Sequence, residues 1–355
     1  MRRVFAYLLG LTLAANLATT VEGCSDGLPA EAELAQVVLA PTPSPSEAPD
    51  APPFQLPPGL PTDCVFPDGS AAGVHSNFDT DAYIANNTDW PDPNGIPYQG
   101  GNVLFGTVGV YLIWYGDWAP STRAIVEDFV RHLGDSPYFG ILRTYYVPGS
   151  SRKYCASGSL ELRGEVLDNY SMGHTTKTDV SVVEELVLAN IASHALPADT
   201  NALYVVLPAA DTRFGEACTV YCGWHASTQG DDGDGGNNNL DLKISMVIDP
   251  TACPALCTGL ERVDAAPLTP NGDLAADGVV SLLAHEIEET ISDPDLNAWI
   301  DLDYTENADK CAWTFGSPRT LESGAPTNMR LGTHDYLIQR NWVNYDGGYC
   351  ALSFP

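Results

Sequence analysis

The stretch of this chain whose residue types and spacing could do chemistry is His285-Glu286-Ile287-Glu288-Glu289. On a helix, His285 and Glu289 at i and i+4 lie one above the other, so an imidazole and a carboxylate can share one metal ion. Glu286, one residue on, is turned to where it can take a proton from a metal-bound water, the part of a general base. This is the H-E-x-x-H arrangement with Glu in the second ligand position. Substituting carboxylate for the second imidazole lowers the positive charge on the centre, so its bound water should be less acidic than in a two-histidine site. Glu306 and Asp309 follow at i and i+3, after a loop long enough to fold back, and offer a third oxygen ligand and a further carboxylate. One zinc ion is therefore the expected cofactor. The competing reading is a solvated acidic helix face.

The elements that must hold these residues can be read around them. Val279, Val280, Leu283, Ala284, Ile287 and Ile291 recur at helical spacing, with Asp277 as the expected N-cap and Pro294 as the stop, which predicts an amphipathic helix. Asn271-Gly272-Asp273 reads as a turn feeding it. Val108 to Tyr115 is a continuous apolar run of the kind found in a central strand buried on both faces. Helices are expected after Pro120, in a shorter form from Tyr138 to Tyr146, and from Val180 to Ala192; strands are expected over Leu160–Val166, Ala202–Leu207 and Lys243–Ile248. Alternating strands and helices predict a mixed α/β single domain, a twisted sheet with packed helices.

Composition narrows the partners. The 355 residues carry 46 acidic and 16 basic side chains, a formal net charge of -30, which argues against nucleic acid or an anionic membrane. Residues 1–23 read as a signal peptide: Arg2 and Arg3 precede an apolar core from Val4 to Ala18. Val21-Glu22-Gly23-Cys24 resembles a lipoprotein box with Glu22 out of place, so a lipid anchor on Cys24 is a second expectation. Residues 24–62, rich in Pro, Ala and Glu, cannot bury enough apolar surface to fold and should form an extended tether to a domain at 63–355. No other run is apolar and long enough for an integral membrane span. With Cys24 set apart, eight cysteines remain; in an exported chain they favour disulfides over a four-cysteine zinc site built from Cys218, Cys222, Cys253 and Cys257. Asp231 to Asn239 alternates oxygen donors and glycines, which suits calcium, but its register does not match the EF-hand loop, so a flexible hydrophilic loop is the preferred reading. Asn86 and Asn169 open glycosylation triplets.

Several separated motifs in one order carry a resemblance. Val110 to Trp118, Tyr170-Ser171-Met172-Gly173, Cys218 to His225, Pro270 to Asp273, Ala284-His285-Glu286 and Asn344-Tyr345 to Cys350 resemble the EXORDIUM family, also called phosphate-induced protein 1, over about 101–350. The resemblance implies an exported, extracellular or cell-wall protein of a kind that promotes growth in plants. Its His-Glu-x-x-Glu helix looks like that of zincin metallopeptidases, which implies a zincin-like, disulfide-stabilised domain. Carried over, His285, Glu289 and Glu306 would be ligands, with Asp309 beside them and Glu286 as base. The tether, the insertion near Asp231 and an extra Cys64–Cys155 pair set this chain apart from plant members and suggest a microbial or otherwise divergent one. Two functions follow: a metal-dependent hydrolase acting on a peptide or cell-wall polymer, with His334 or Tyr336 as oxyanion donor, or a non-catalytic extracellular binding or signalling protein on the same scaffold. His225 is expected to be structural. Trp114, Trp118, Trp224, Trp299, Trp313 and Trp342 are candidates for stacking on sugar rings.

Overall fold

The computed structural model describes residues 64–65, 95–148, 153–176, 180–228, 240–260, 262–263, 266–345 and 347–354. The expected signal peptide and tether, Cys24, Asn86 and the Asp231–Asn239 loop lie outside them.

Strand β1 (Thr107–Tyr115) is buried from Val108 onward, as its unbroken apolar run requires of a strand covered on both faces. It is followed by α1 (Pro120–Leu133), β2 (Ser159–Asp168), α2 (Val180–Ala192), β3 (Ala202–Pro208), β4 (Gly223–Ser227), β5 (Lys243–Val247) and α3 (Leu274–Ser292). The five strands form one sheet in the order β2-β1-β3-β5-β4. Neighbours are parallel except β4, which runs antiparallel to β5 along the edge. Helix α1 starts on Pro120, whose missing N–H costs nothing in a first turn, and buries Ile125, Val126, Phe129, Val130 and Leu133. Between them Phe139–Thr144 forms a 3-10 turn where a short helix was expected.

Helix α3 begins one turn earlier than its apolar spacing suggests. Gly272, at φ +71°, turns the chain so that Asp273 is the N-cap, its carboxylate accepting from Ala276 N at 3.1 Å. Asp277 instead lies inside the helix and accepts from the backbone N–H and the amide of Asn271. The C-terminus falls at Asp293, before Pro294, where Asp293 Oδ1 accepts from Asn297 N and Ala298 N. Every residue from Ala276 to Ser292 is buried, so α3 is an interior helix rather than the amphipathic one expected. The sheet lies on one side, α1 on a second, and the C-terminal segments that include Asn341–Val343 close the third.

Disulfides Cys218–Cys253 and Cys222–Cys257 join the segment entering β4 to the segment leaving β5, and Cys311–Cys350 ties the chain after Glu306 to the C-terminal hairpin. Cys155 is disulfide-bonded as well. With their sulfurs paired, Cys218, Cys222, Cys253 and Cys257 form no thiolate zinc site. Trp114, Trp118, Trp224 and Trp299 are core side chains, and Trp313 and Trp342 are partly buried against that core, so the expected tryptophan platform for sugars is not on the surface. Among the described residues no helix is long and apolar enough to cross a membrane.

Candidate metal centre

Helix α3 presents His285, Glu286 and Glu289 from its C-terminal half, at the level of the edge strand β4. The Glu306–Cys311 segment folds back over them, as its spacing predicted. Asp309 N donates to Glu289 Oε1 at 3.1 Å, and Asn307 Nδ2 donates to Glu288 O and Ser292 Oγ, so this segment is fastened to the end of the helix. His285 Nε2 lies 3.1 Å from Glu289 Oε1 and 3.4 Å from Asp309 Oδ1. From β4, His225 Nε2 reaches Glu306 Oε2 at 3.0 Å and stands 4.0 Å from Glu289 Oε2.

Two groups of ligand-type atoms result, each within 4.8 Å: His285, Glu289 and Asp309, and His225, Glu289 and Glu306. Proximity is only partly matched by hydrogen bonding: His225 Nε2 and Glu306 Oε2 form a hydrogen bond at 3.0 Å, but other donor atoms of the cluster are left over. Neither ring nitrogen of His285, neither oxygen of Glu286, and not Glu306 Oε1 has a hydrogen-bond partner, although all are buried. His285 Nε2 is within bonding distance of two carboxylates yet aligned with neither, so these atoms converge on shared points rather than on one another. Buried polar groups are ordinarily paired. An imidazole and carboxylate donor set with unspent lone pairs fits a divalent cation such as zinc.

Burial sets the electrostatics. It pushes the carboxyls of Glu286 and Glu306 well above the ordinary 4.5; for Glu286 the His285 charge opposes and the Glu289 and Asp309 charges add, and for Glu306 Glu289, Asp293, Asp309 and Glu286 all add. Glu289 is pushed up to about 7 by burial and by Asp309, with His285 opposing. Glu288 is also raised by burial, partly offset by the bond it accepts from Asn341 Nδ2 at 3.1 Å. For the histidines the balance differs. Burial, His285 and Lys243 push His225 down to about 3, leaving the neutral imidazole that ligates metals. At His285 burial pulls down, but Glu289 and Asp309 outweigh it and raise the imidazole well above 6.5, favouring the protonated ring.

The structure thus brings His285, Glu286, Glu289, Glu306 and Asp309 together, and the solvated-face alternative does not describe them. It adds His225, expected to be merely structural. It does not bring in His334 or Tyr336. His334 Nδ1 is 2.6 Å from Asp128 Oδ2, and Tyr336 donates to Ile125 O at 3.2 Å, both on α1. They pack by the first turns of α3, near Asp277, about 12 Å along the axis from His285 at 1.5 Å per residue.

The phosphate-induced protein 1 conserved region matches residues 96–325, a span that contains all six clustered residues and ends before His334. "Protein EXORDIUM-like 3" of Arabidopsis thaliana is 28% identical over 291 residues, covering 72% of this chain and 83% of the relative. "Protein PHOSPHATE-INDUCED 1" of Nicotiana tabacum is 31% identical over 221 residues, covering 58% and 66%. "Protein EXORDIUM" of Arabidopsis thaliana is 29% identical over 219 residues, covering 56% and 66%, so the chain spans just under two thirds of these last two. No solved structure matches.

Proposed function

The chain belongs to the phosphate-induced protein 1 family, and from that membership we propose that it is a non-catalytic extracellular or cell-wall protein of the EXORDIUM type. It binds or signals through its outer surface, while a divalent ion held by the buried cluster fastens the zincin-like scaffold. Closure of the cluster carries this reading. His225 and Glu306 are 0% exposed and His285, Glu286 and Glu289 are 1% exposed; only Asp309, at 16%, touches solvent. A catalytic zinc keeps one coordination position open to substrate, whereas a structural one is closed by protein. The disulfides support an oxidising, extracellular setting. In this reading residues 1–23 export the chain and 24–62 space the domain from its anchorage.

One observation favours the second reading, a metal-dependent hydrolase. Both Glu286 oxygens lie buried and unengaged beside His285. A bound zinc supplies an acidified water, and Glu286 is the side chain placed to accept its proton and return it to a leaving amine. The test incubates full-length protein and Glu286→Gln with an unfolded protein substrate and with insoluble wall polysaccharide. We expect no cleavage by either and equal retention on the wall material. Cleavage that Glu286→Gln loses while keeping its metal would replace this reading with the hydrolase.

A further inference from the structure

We propose that the cluster is a two-ion centre bridged by Glu289, one cation held by His285, Glu289 and Asp309 and the other by His225, Glu289 and Glu306. The inference rests on the metal-holding part of the function proposed above, and deepens it.

The two ligand groups share only Glu289. Its carboxylate oxygens face different imidazoles: Oε1 is 3.1 Å from His285 Nε2, and Oε2 is directed to His225 Nε2 at 4.0 Å. A carboxylate so placed spans two ions, and two-metal sites keep their cations about 3.5–4 Å apart. Each half then has one imidazole, one shared carboxylate and one carboxylate of its own. With a single ion at His285, the second imidazole and Glu306 would be left as a buried pair with Glu306 Oε1 still unpartnered.

Charge leads to the same count. Glu286, Glu289, Glu306 and Asp309 are four carboxylates in one nearly sealed volume, and the ion-pair partners recorded for them are His225 and His285 alone among the described residues. Lys243, the buried lysine on β5, is already shared by Asp241 and Asp295. Glu286 ligates in neither group; ionised as ligands, Glu289, Glu306 and Asp309 carry three charges, so one divalent cation leaves one of them uncompensated and a second covers it. Uncompensated buried charge is costly enough that the second ion supplies what the protein's own cations do not. Mixed imidazole and carboxylate donors suit zinc, manganese or iron.

The test counts ions on the full-length chain, freed of metal by prolonged dialysis against chelator and then equilibrated with ZnCl2 or with MnCl2. Bound metal is measured by plasma mass spectrometry, and the manganese form by electron paramagnetic resonance. Two ions per chain and an exchange-coupled manganese signal are expected, with His225→Asn and Asp309→Asn each dropping to one ion and an uncoupled signal. One ion in the wild type, or an unchanged count in His225→Asn, overturns the two-ion centre while leaving a metal-fastened scaffold standing. Two ions without coupling overturn the Glu289 bridge, and no bound ion overturns both proposals. Should the variants fail to fold, the wild-type count and its resonance decide alone.

Discussion

Acidification should act in opposite directions on the metal-free and metal-loaded protein. Glu289 is pushed up to about 7 by burial and Asp309, against an ordinary 4.5 in the unfolded chain. Between those two values the native metal-free protein holds a proton that the unfolded chain has released. The stabilisation from that proton is fully present below pH 4.5 and is lost as pH rises through about 7. At about 1.4 kcal/mol per pH unit, this one carboxyl is worth about 3 kcal/mol, and Glu286, Glu288 and Glu306 are shifted the same way. Metal reverses the sign, because a ligating carboxylate must be ionised; the loaded form therefore loses stability as pH falls. The measurement is the guanidinium midpoint, followed by tryptophan fluorescence under non-reducing conditions, from pH 5 to 8 with and without zinc. Metal-free midpoints should fall with rising pH, loaded midpoints should rise, and the two curves should diverge toward pH 8. Parallel curves would refute the claim that these carboxyls are both raised by burial and metal-ligating.

Asp293→Asn should flatten part of the metal-free pH profile, since burial pushes Asp293 from 3.8 up to about 7 and its neutral amide analogue retains the oxygen that accepts from Asn297 N and Ala298 N; the total change in stability across that pH interval should shrink by about 4 kcal/mol in denaturant melts. In Gly223→Ala the new methyl would stand 2.6 Å from Glu286 Oε1 and 3.2 Å from Met246 O, so overpacking should cost about 1–3 kcal/mol and lower metal content, both readable on purified protein. Replacing Cys222 and Cys257 by serine together removes one of two parallel crosslinks, and because Cys218–Cys253 keeps the long loop closed the unfolding free energy should fall by only about 2–3 kcal/mol in chemical melts. Tyr336→Phe removes a hydroxyl bonded to α1, not to the cluster; a loss of about 1 kcal/mol with unchanged metal content is expected, and metal loss would show that its placement is misread.

Much of this was written in the sequence because it is local. His285 and Glu289 share a helical face by spacing alone, and the apolar run at β1 could only be a doubly covered strand. Glu306 and Asp309 were legible as candidates because the segment after the helix is long enough to fold back onto it. His225 was not, for a physical reason: β4 is five residues, Gly-Trp-His-Ala-Ser, without a clean alternation, and its contact with α3 spans some 60 positions of chain. Asp277 was mistaken for the cap because two aspartates stand four residues apart, and only the positive φ of Gly272 selects Asp273. The burial of Glu288 was not legible, because spacing on one helix says nothing about the Asn341 strand that covers it. The tryptophans followed the commoner fate of large side chains and went into the core.

Sealing has a kinetic consequence. Donors enclosed by α3, β4 and the Glu306–Cys311 turn can exchange their occupant only when that turn lifts, and Cys311–Cys350 tethers it from one end. If the cluster takes a cation as proposed, loading would be an event of biogenesis, completed while the nascent chain still gapes, and a molecule that closes empty should stay so for as long as its local opening is rare. Abundance of the cation where the protein matures, rather than where it is finally deployed, would then govern how much of the population is filled.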